Sequence, residues 1–151
     1  MKNEKIYDYY LAGPFFNENQ LKQQDFIESL FSLGKKNCFS PRLDAGSLGE
    51  NPTKKDMLNV FNKDLEAIKH CKTLFANVSH RDTGTSVEIG FALSRDIPVV
   101  LYWDKDDNTV DHVNLMIALA CGGKVIQSKS ELAHYVYTGE LPDNDFQFQV
   151  D

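Results

Sequence analysis

Two carboxylates bracket a glycine turn in the segment Asp82-Thr83-Gly84-Thr85-Ser86-Val87-Glu88. Asp82 follows an apolar run that ends at Val78, and Glu88 falls in the first turn of a helix expected from about Thr85. Carboxylates gathered at one edge of a sheet can divide the roles of nucleophile, proton donor and hydroxyl ligand among them. A purely structural role competes, because Thr85 to Glu88 has the spacing of a capping box in which Glu88 accepts from the Thr85 backbone N–H. Asp64 shifts the balance toward chemistry. It falls between Phe61 and Ile68, on or beside the apolar face of its helix, where an unpaired carboxylate is costly. A boundary position that reaches solvent, or pairing with Lys63, Lys69 or Arg95, is the structural alternative. Tyr7, Tyr9 and Tyr10 crowd one strand-like segment, and a tyrosine at a strand's end can hydrogen-bond to a carboxylate and orient it, although such residues also serve as packing.

The elements that must position these groups follow from hydrophobic period and punctuation. Ile6 to Leu11 reads as a buried strand broken at Ala12-Gly13-Pro14. Asn17 caps a helix running to about Leu33, where Gly34 stops it. Cys38 to Pro41 is a short strand, followed by a loop from Arg42 to Pro52 that is long enough to be functional. Thr53 and Asp56 have capping-box spacing and open a helix whose apolar positions are Met57, Phe61, Leu65 and Ile68. Thr73 to Val78 is a strand, about Thr85 to Arg95 a helix, and Pro98 to Tyr102 a strand. Then come a helix from about Asp111 to Cys121, a short strand Lys124 to Ile126 and a last helix from Lys129. Strands alternating with helices predict a doubly wound α/β fold: a parallel sheet of about five strands covered on both faces, in one domain over residues 1–151. Ligands of such sheets bind beyond the carboxyl ends of the strands, which points to the segments after the first four. The tail from Pro142 is polar, with Phe146 and Phe148 as docking anchors.

Composition narrows the class. The chain has 151 residues, 42% hydrophobic and 25% charged, with 16 Lys and Arg against 22 Asp and Glu for a net charge of −6. An acidic surface without a basic stripe repels nucleic-acid polymers but leaves a single nucleoside admissible. No run of apolar residues suits a membrane span, and the N-terminus, Met1 to Lys5, is unlike a signal peptide. Cys38, Cys71 and Cys121 are widely spaced in apolar surroundings and read as reduced thiols of a cytoplasmic protein. The four histidines lack metal-site spacing, and the turn after the first strand lacks the glycines of a dinucleotide or phosphate loop. The run from Asn114 to Cys121 is apolar around most of its circumference, which hints at a subunit interface.

Taken in order, Tyr9-Tyr10-Leu11-Ala12-Gly13-Pro14-Phe15-Phe16-Asn17, Phe39-Ser40-Pro41-Arg42, Asn62-Lys63-Asp64-Leu65, Asp82-Thr83-Gly84-Thr85 with Glu88-Ile89-Gly90, and Val113-Asn114-Leu115-Met116 resemble the nucleoside 2-deoxyribosyltransferase family over nearly the whole chain. The resemblance implies a flavodoxin-like fold and a double displacement at the anomeric carbon of a 2'-deoxynucleoside, with free nucleobases as acceptors and no metal or organic cofactor. It makes Glu88 the nucleophile and Tyr9 the hydroxyl that positions it. Asp64 and Asp82 become the carboxylates that bind sugar hydroxyls and handle the base's proton, with the division between them open. Gly13, Phe15, Phe16, Asn114 and Met116 are implied as substrate-binding, Asn114 reaching across a homo-oligomer interface. Phe15, Phe16 and Trp103 are the aromatic candidates for the wall of a base pocket. The loop Leu43-Asp44-Ala45-Gly46-Ser47 departs from the polar base-binding loop of many members, so base preference does not carry over. An N-glycosidase that delivers the sugar to water is the alternative reading, and a non-catalytic nucleoside-binding module is a third.

Overall fold

The computed structural model describes residues 4–151, so Met1 to Asn3 of the N-terminal reading lie outside the described residues. Strand β1 (Tyr7–Ala12) leads to helix α1 (Glu18–Leu33), β2 (Cys38–Phe39), a single turn α2 (Pro41–Asp44) and α3 (Lys54–Lys69). There follow β3 (Cys71–Asn77), α4 (Thr83–Ser94), β4 (Val99–Tyr102), β5 (His112–Val113), α5 (Leu115–Ala118), α6 (Lys129–Thr138) and β6 (Gln149–Val150). The main sheet is parallel in the order β2-β1-β3-β4, the flavodoxin-like winding. The fifth strand expected over Lys124 to Ile126 is reduced to a single bridge between Tyr102 and Ile126, which continues the same order.

Alternation along the strands builds a core on each face of the sheet. Leu11, Phe75, Val100 and Tyr102 pack with Ile27 and Phe31 of α1 and Leu132, Tyr135 and Val136 of α6. Tyr10, Ala12, Leu74, Ala76 and Leu101 face the other way, against Ala67 and Ile68 of α3 and Ile89 and Ala92 of α4. The helix ends obey their capping residues. Asn17 accepts from Gln20 N–H, and Thr53 and Asp56 form a full capping box.

Three elements depart from the expected pattern. The stripe on α3 is only partly core: Met57 and Phe61 are 46% and 54% exposed, whereas Ala67 and Ile68 at the end of the helix are buried. The helix expected from Asp111 to Cys121 shrinks to α5, one turn capped by Asn114, because residues 112–113 are taken up as a strand by the tail. That tail is ordered. Gln149 N–H donates to Asp111 and Asp151 N–H to Val113, while Phe148 is buried against Trp103. None of the helices among the described residues is long and apolar enough to cross a membrane.

Candidate active site

Beyond the C-terminal ends of β1 and β3 lies a cavity of about 370 Å³ whose lining includes Gly13, Phe15, Phe16, Asp64, Asp82 and Glu88. Six of the residues singled out from sequence are therefore brought together. Pro41, Phe61, Leu65, Gly84 and Val87 complete the wall, so Phe61 and Leu65 of the α3 stripe face this cavity.

Each carboxylate is placed by a separate local device. Asp82 is the N-cap of α4: its Oδ2 accepts from the Thr85 backbone N–H at 2.9 Å and from the Thr85 hydroxyl at 2.6 Å. The cap thus sits three residues earlier than the capping-box reading placed it, and Glu88 is released from capping. Glu88, one turn further on, accepts from the Tyr10 hydroxyl through Oε2. Burial pushes its carboxyl up to about 7, with Asp64 and Asp82 adding to the rise and the Tyr10 hydrogen bond opposing it. Asp64 comes from α3, and none of the cations considered from sequence pairs with it: Lys69 is engaged with Glu66, and Arg95 lies over Phe91. Its Oδ1 is buried without a hydrogen-bond partner, and desolvation pushes the carboxyl up to about 6. A buried, unpartnered carboxylate oxygen costs stability, so the fold holds Asp64 against its own preference.

The hydroxyl on Glu88 belongs to Tyr10, not Tyr9. The two tyrosines leave opposite faces of β1, and α4 covers the face to which Tyr10 points. Tyr9 instead packs on Phe31 and donates to the Tyr135 hydroxyl at 3.0 Å on the α1/α6 side. Trp103 also leaves the site: it is 4% exposed, and its indole N–H donates to Val110 C=O at 2.9 Å in the core. Asn114 and Met116 do not reach Glu88 in their own chain. Asn114 caps α5 through Met116 N–H and lines a separate cavity of about 290 Å³ with Asp82 on its wall, while Met116 is 73% exposed.

A further cavity of about 370 Å³ adjoins the first, sharing Phe15, Phe16, Pro41 and Asp64 and adding Arg42, Ser47 and Leu48. Asp64 thus stands where the two meet. Among the described residues no group of three His, Cys, Asp or Glu side chains is placed to hold a metal ion.

The site is thus three carboxylates and a tyrosine gathered at the carboxyl edge of a flavodoxin-like sheet, where open α/β sheets bind their ligands. The family model for nucleoside 2-deoxyribosyltransferase matches residues 9–135, and the chain belongs to that enzyme family. It is similar to a 2-deoxyribosyltransferase from the psychrotolerant bacterium Bacillus psychrosaccharolyticus, at 34% identity and TM-score 0.58, over 63% of this chain and 71% of that one. A conserved protein from Enterococcus faecalis V583 shares the fold at 20% identity and TM-score 0.68, over 91% of this chain and 99% of that one. No curated protein sequence matches the chain.

Proposed function

We propose that the protein transfers 2-deoxyribose between purine and pyrimidine bases through a covalent deoxyribosyl-Glu88 intermediate. One observation carries this reading: the Glu88 carboxylate, held by Tyr10 through Oε2, lines the same cavity as Asp64 and Asp82. Tyr10 engages one oxygen and leaves Oε1 for attack.

As the N-glycosidic bond breaks, its electron pair leaves with the base and the sugar gains oxocarbenium character. Oε1 of Glu88 closes on the anomeric carbon to form a glycosyl ester. Asp64 lies where the Glu88 cavity meets its apolar neighbour, so the base leaves past it and takes its proton. A carboxyl that burial keeps protonated up to about pH 6 suits that task. Asp82, committed through Oδ2 to Thr85, is the rigid acceptor for a sugar hydroxyl. A second base then attacks the same carbon, Asp64 recovers the proton and Glu88 leaves, with overall retention. Asn114 and Met116 serve the site of a neighbouring subunit. Such base exchange is salvage chemistry for deoxynucleosides, and the unpaired thiols of Cys38, Cys71 and Cys121 suit the reducing cytoplasm.

Intact-protein mass spectrometry with a slow 2'-fluoro nucleoside tests the intermediate. The expected result is a sugar adduct on Glu88, absent in Glu88→Gln, whose turnover falls by about three orders of magnitude or more while the fold is kept. Near-normal turnover in Glu88→Gln would contradict the covalent route.

A further inference from the structure

We propose that Arg42 selects the nucleobase, favouring bases that present a ring carbonyl over those with an amino group at the same position. This rests on the base-transfer reading above and deepens it. If the sugar lies over Glu88 and its base leaves past Asp64, the base occupies the adjoining cavity of about 370 Å³. Arg42 is the one cationic side chain lining that cavity.

The guanidinium is fixed rather than free. Nε donates to both Glu28 oxygens, at 3.1 and 3.0 Å, and Nη2 donates to Glu28 and, at 3.4 Å, to Asp25. The Ser40 hydroxyl donates to Glu28 as well, tying the pair to the end of β2. Arg42 and Glu28 side chains are only 21% and 11% exposed, so the fork is held by packing and by hydrogen bonds together. Its charge is already answered by Glu28, which weakens any call for an anionic ligand. Nη1 makes no hydrogen bond among the described residues, which leaves its two N–H groups for solvent or a ligand.

Guanidinium only donates. A base carbonyl at this wall accepts from Nη1, whereas an exocyclic amine brings donor against donor and leaves both unpaired in an apolar setting. The remaining wall, chiefly Phe15, Phe16, Pro41 and Leu48, stacks and packs without regard to the base's polar edge. Of the other polar wall groups, the Ser47 hydroxyl can donate or accept and Asp64 is committed to the base's proton, so discrimination between a carbonyl and an amine falls to Arg42, which can only donate.

Hypoxanthine and adenine probe this effect, since they share one bicycle and differ at position six, carbonyl against amine, and at the adjacent N1, which carries a proton only in hypoxanthine. With thymidine as donor, wild-type kcat/KM for hypoxanthine should exceed that for adenine by about 10-fold or more, the range of a hydrogen bond to a charged group. Arg42→Met keeps most of the apolar stem and should bring the ratio near one. Arg42→Gln can still bond to Glu28 and its amide can offer either polarity, so it should do the same if the Met variant fails to fold. Calorimetric titration of each free base into the wild type and both variants reads selectivity without any transfer. A missing exchange reaction would overturn the transferase reading, whereas equal binding of the two bases to the wild type, or a ratio unchanged in a folded Arg42 variant, would overturn the role of Arg42.

Discussion

At the residue scale the chemistry rests on one hydroxyl and one carboxylate, and the choice between two adjacent tyrosines tests it. On the proposed covalent route Glu88 attacks as the carboxylate. Burial holds its carboxyl at about 7, above the Asp64 value, so the pair with Glu88 ionised and Asp64 protonated is a minority form and kcat/KM should fall outside the interval between the two values. Asp64, which must carry a proton, sits at about 6 and should impose the opposite limb, giving a bell with its maximum between about pH 6 and 7. Tyr10→Phe removes the hydrogen bonding that lowers both the Glu88 and the Asp64 values, so the whole profile should move to higher pH and kcat/KM should fall about 10-fold or more. Tyr9→Phe, which loses only a bond to Tyr135, should leave the profile in place. A pH–rate series on both variants checks this, and an intact Tyr10→Phe profile would contradict it. The carboxylates were legible in the sequence because an acid on an apolar stripe demands a reason, and Asp64 showed that demand directly. The tyrosine was not, since alternation separates Tyr9 from Tyr10 without saying which face α4 will cover.

At the scale of elements, the site depends on how closely the turn after β1 approaches the sheet. A Cβ at Gly13 would lie 2.7 Å from Gln24 Oε1 and 3.1 Å from Asn77 Cβ, both of buried residues. Gln24 is tethered by its own donation to Leu11 C=O and cannot simply withdraw. Gly13→Ala should therefore displace the Phe15–Phe16 wall, raising KM for the nucleoside several-fold and costing about 1–3 kcal/mol of stability. Thermal melts and steady-state kinetics measure both, and an unchanged KM would sever the link between this turn and the aromatic wall. The strands and long helices were legible because their capping residues and periods agree, as at Asn17 and Thr53. The region after β4 was not. There Asn114 starts a single turn and a tail more than thirty residues away supplies the pairing for residues 112–113, and no local pattern announces a strand contributed from that distance.

At the scale of the whole molecule, each chain shows Asn114, Met116, Leu115 and Leu119 outside its own Glu88 cavity, the last two 51% and 52% exposed. If they complete a neighbour's site, inactive Glu88→Gln and Asn114→Ala proteins, mixed and reassembled, should recover activity at sites that combine intact residues from each. A fully active monomer at assay concentration would contradict that arrangement. The deeper question is where the sugar goes once it is on Glu88, because transfer and hydrolysis share the same intermediate. On the proposed reading, the apolar cavity beside Asp64 holds a planar base at high effective concentration against water. Chromatography of a reaction of the pure protein with thymidine and saturating hypoxanthine measures this partition directly. Deoxyinosine should be the main product; free deoxyribose as the main product would contradict the transferase account and establish an N-glycosidase in its place.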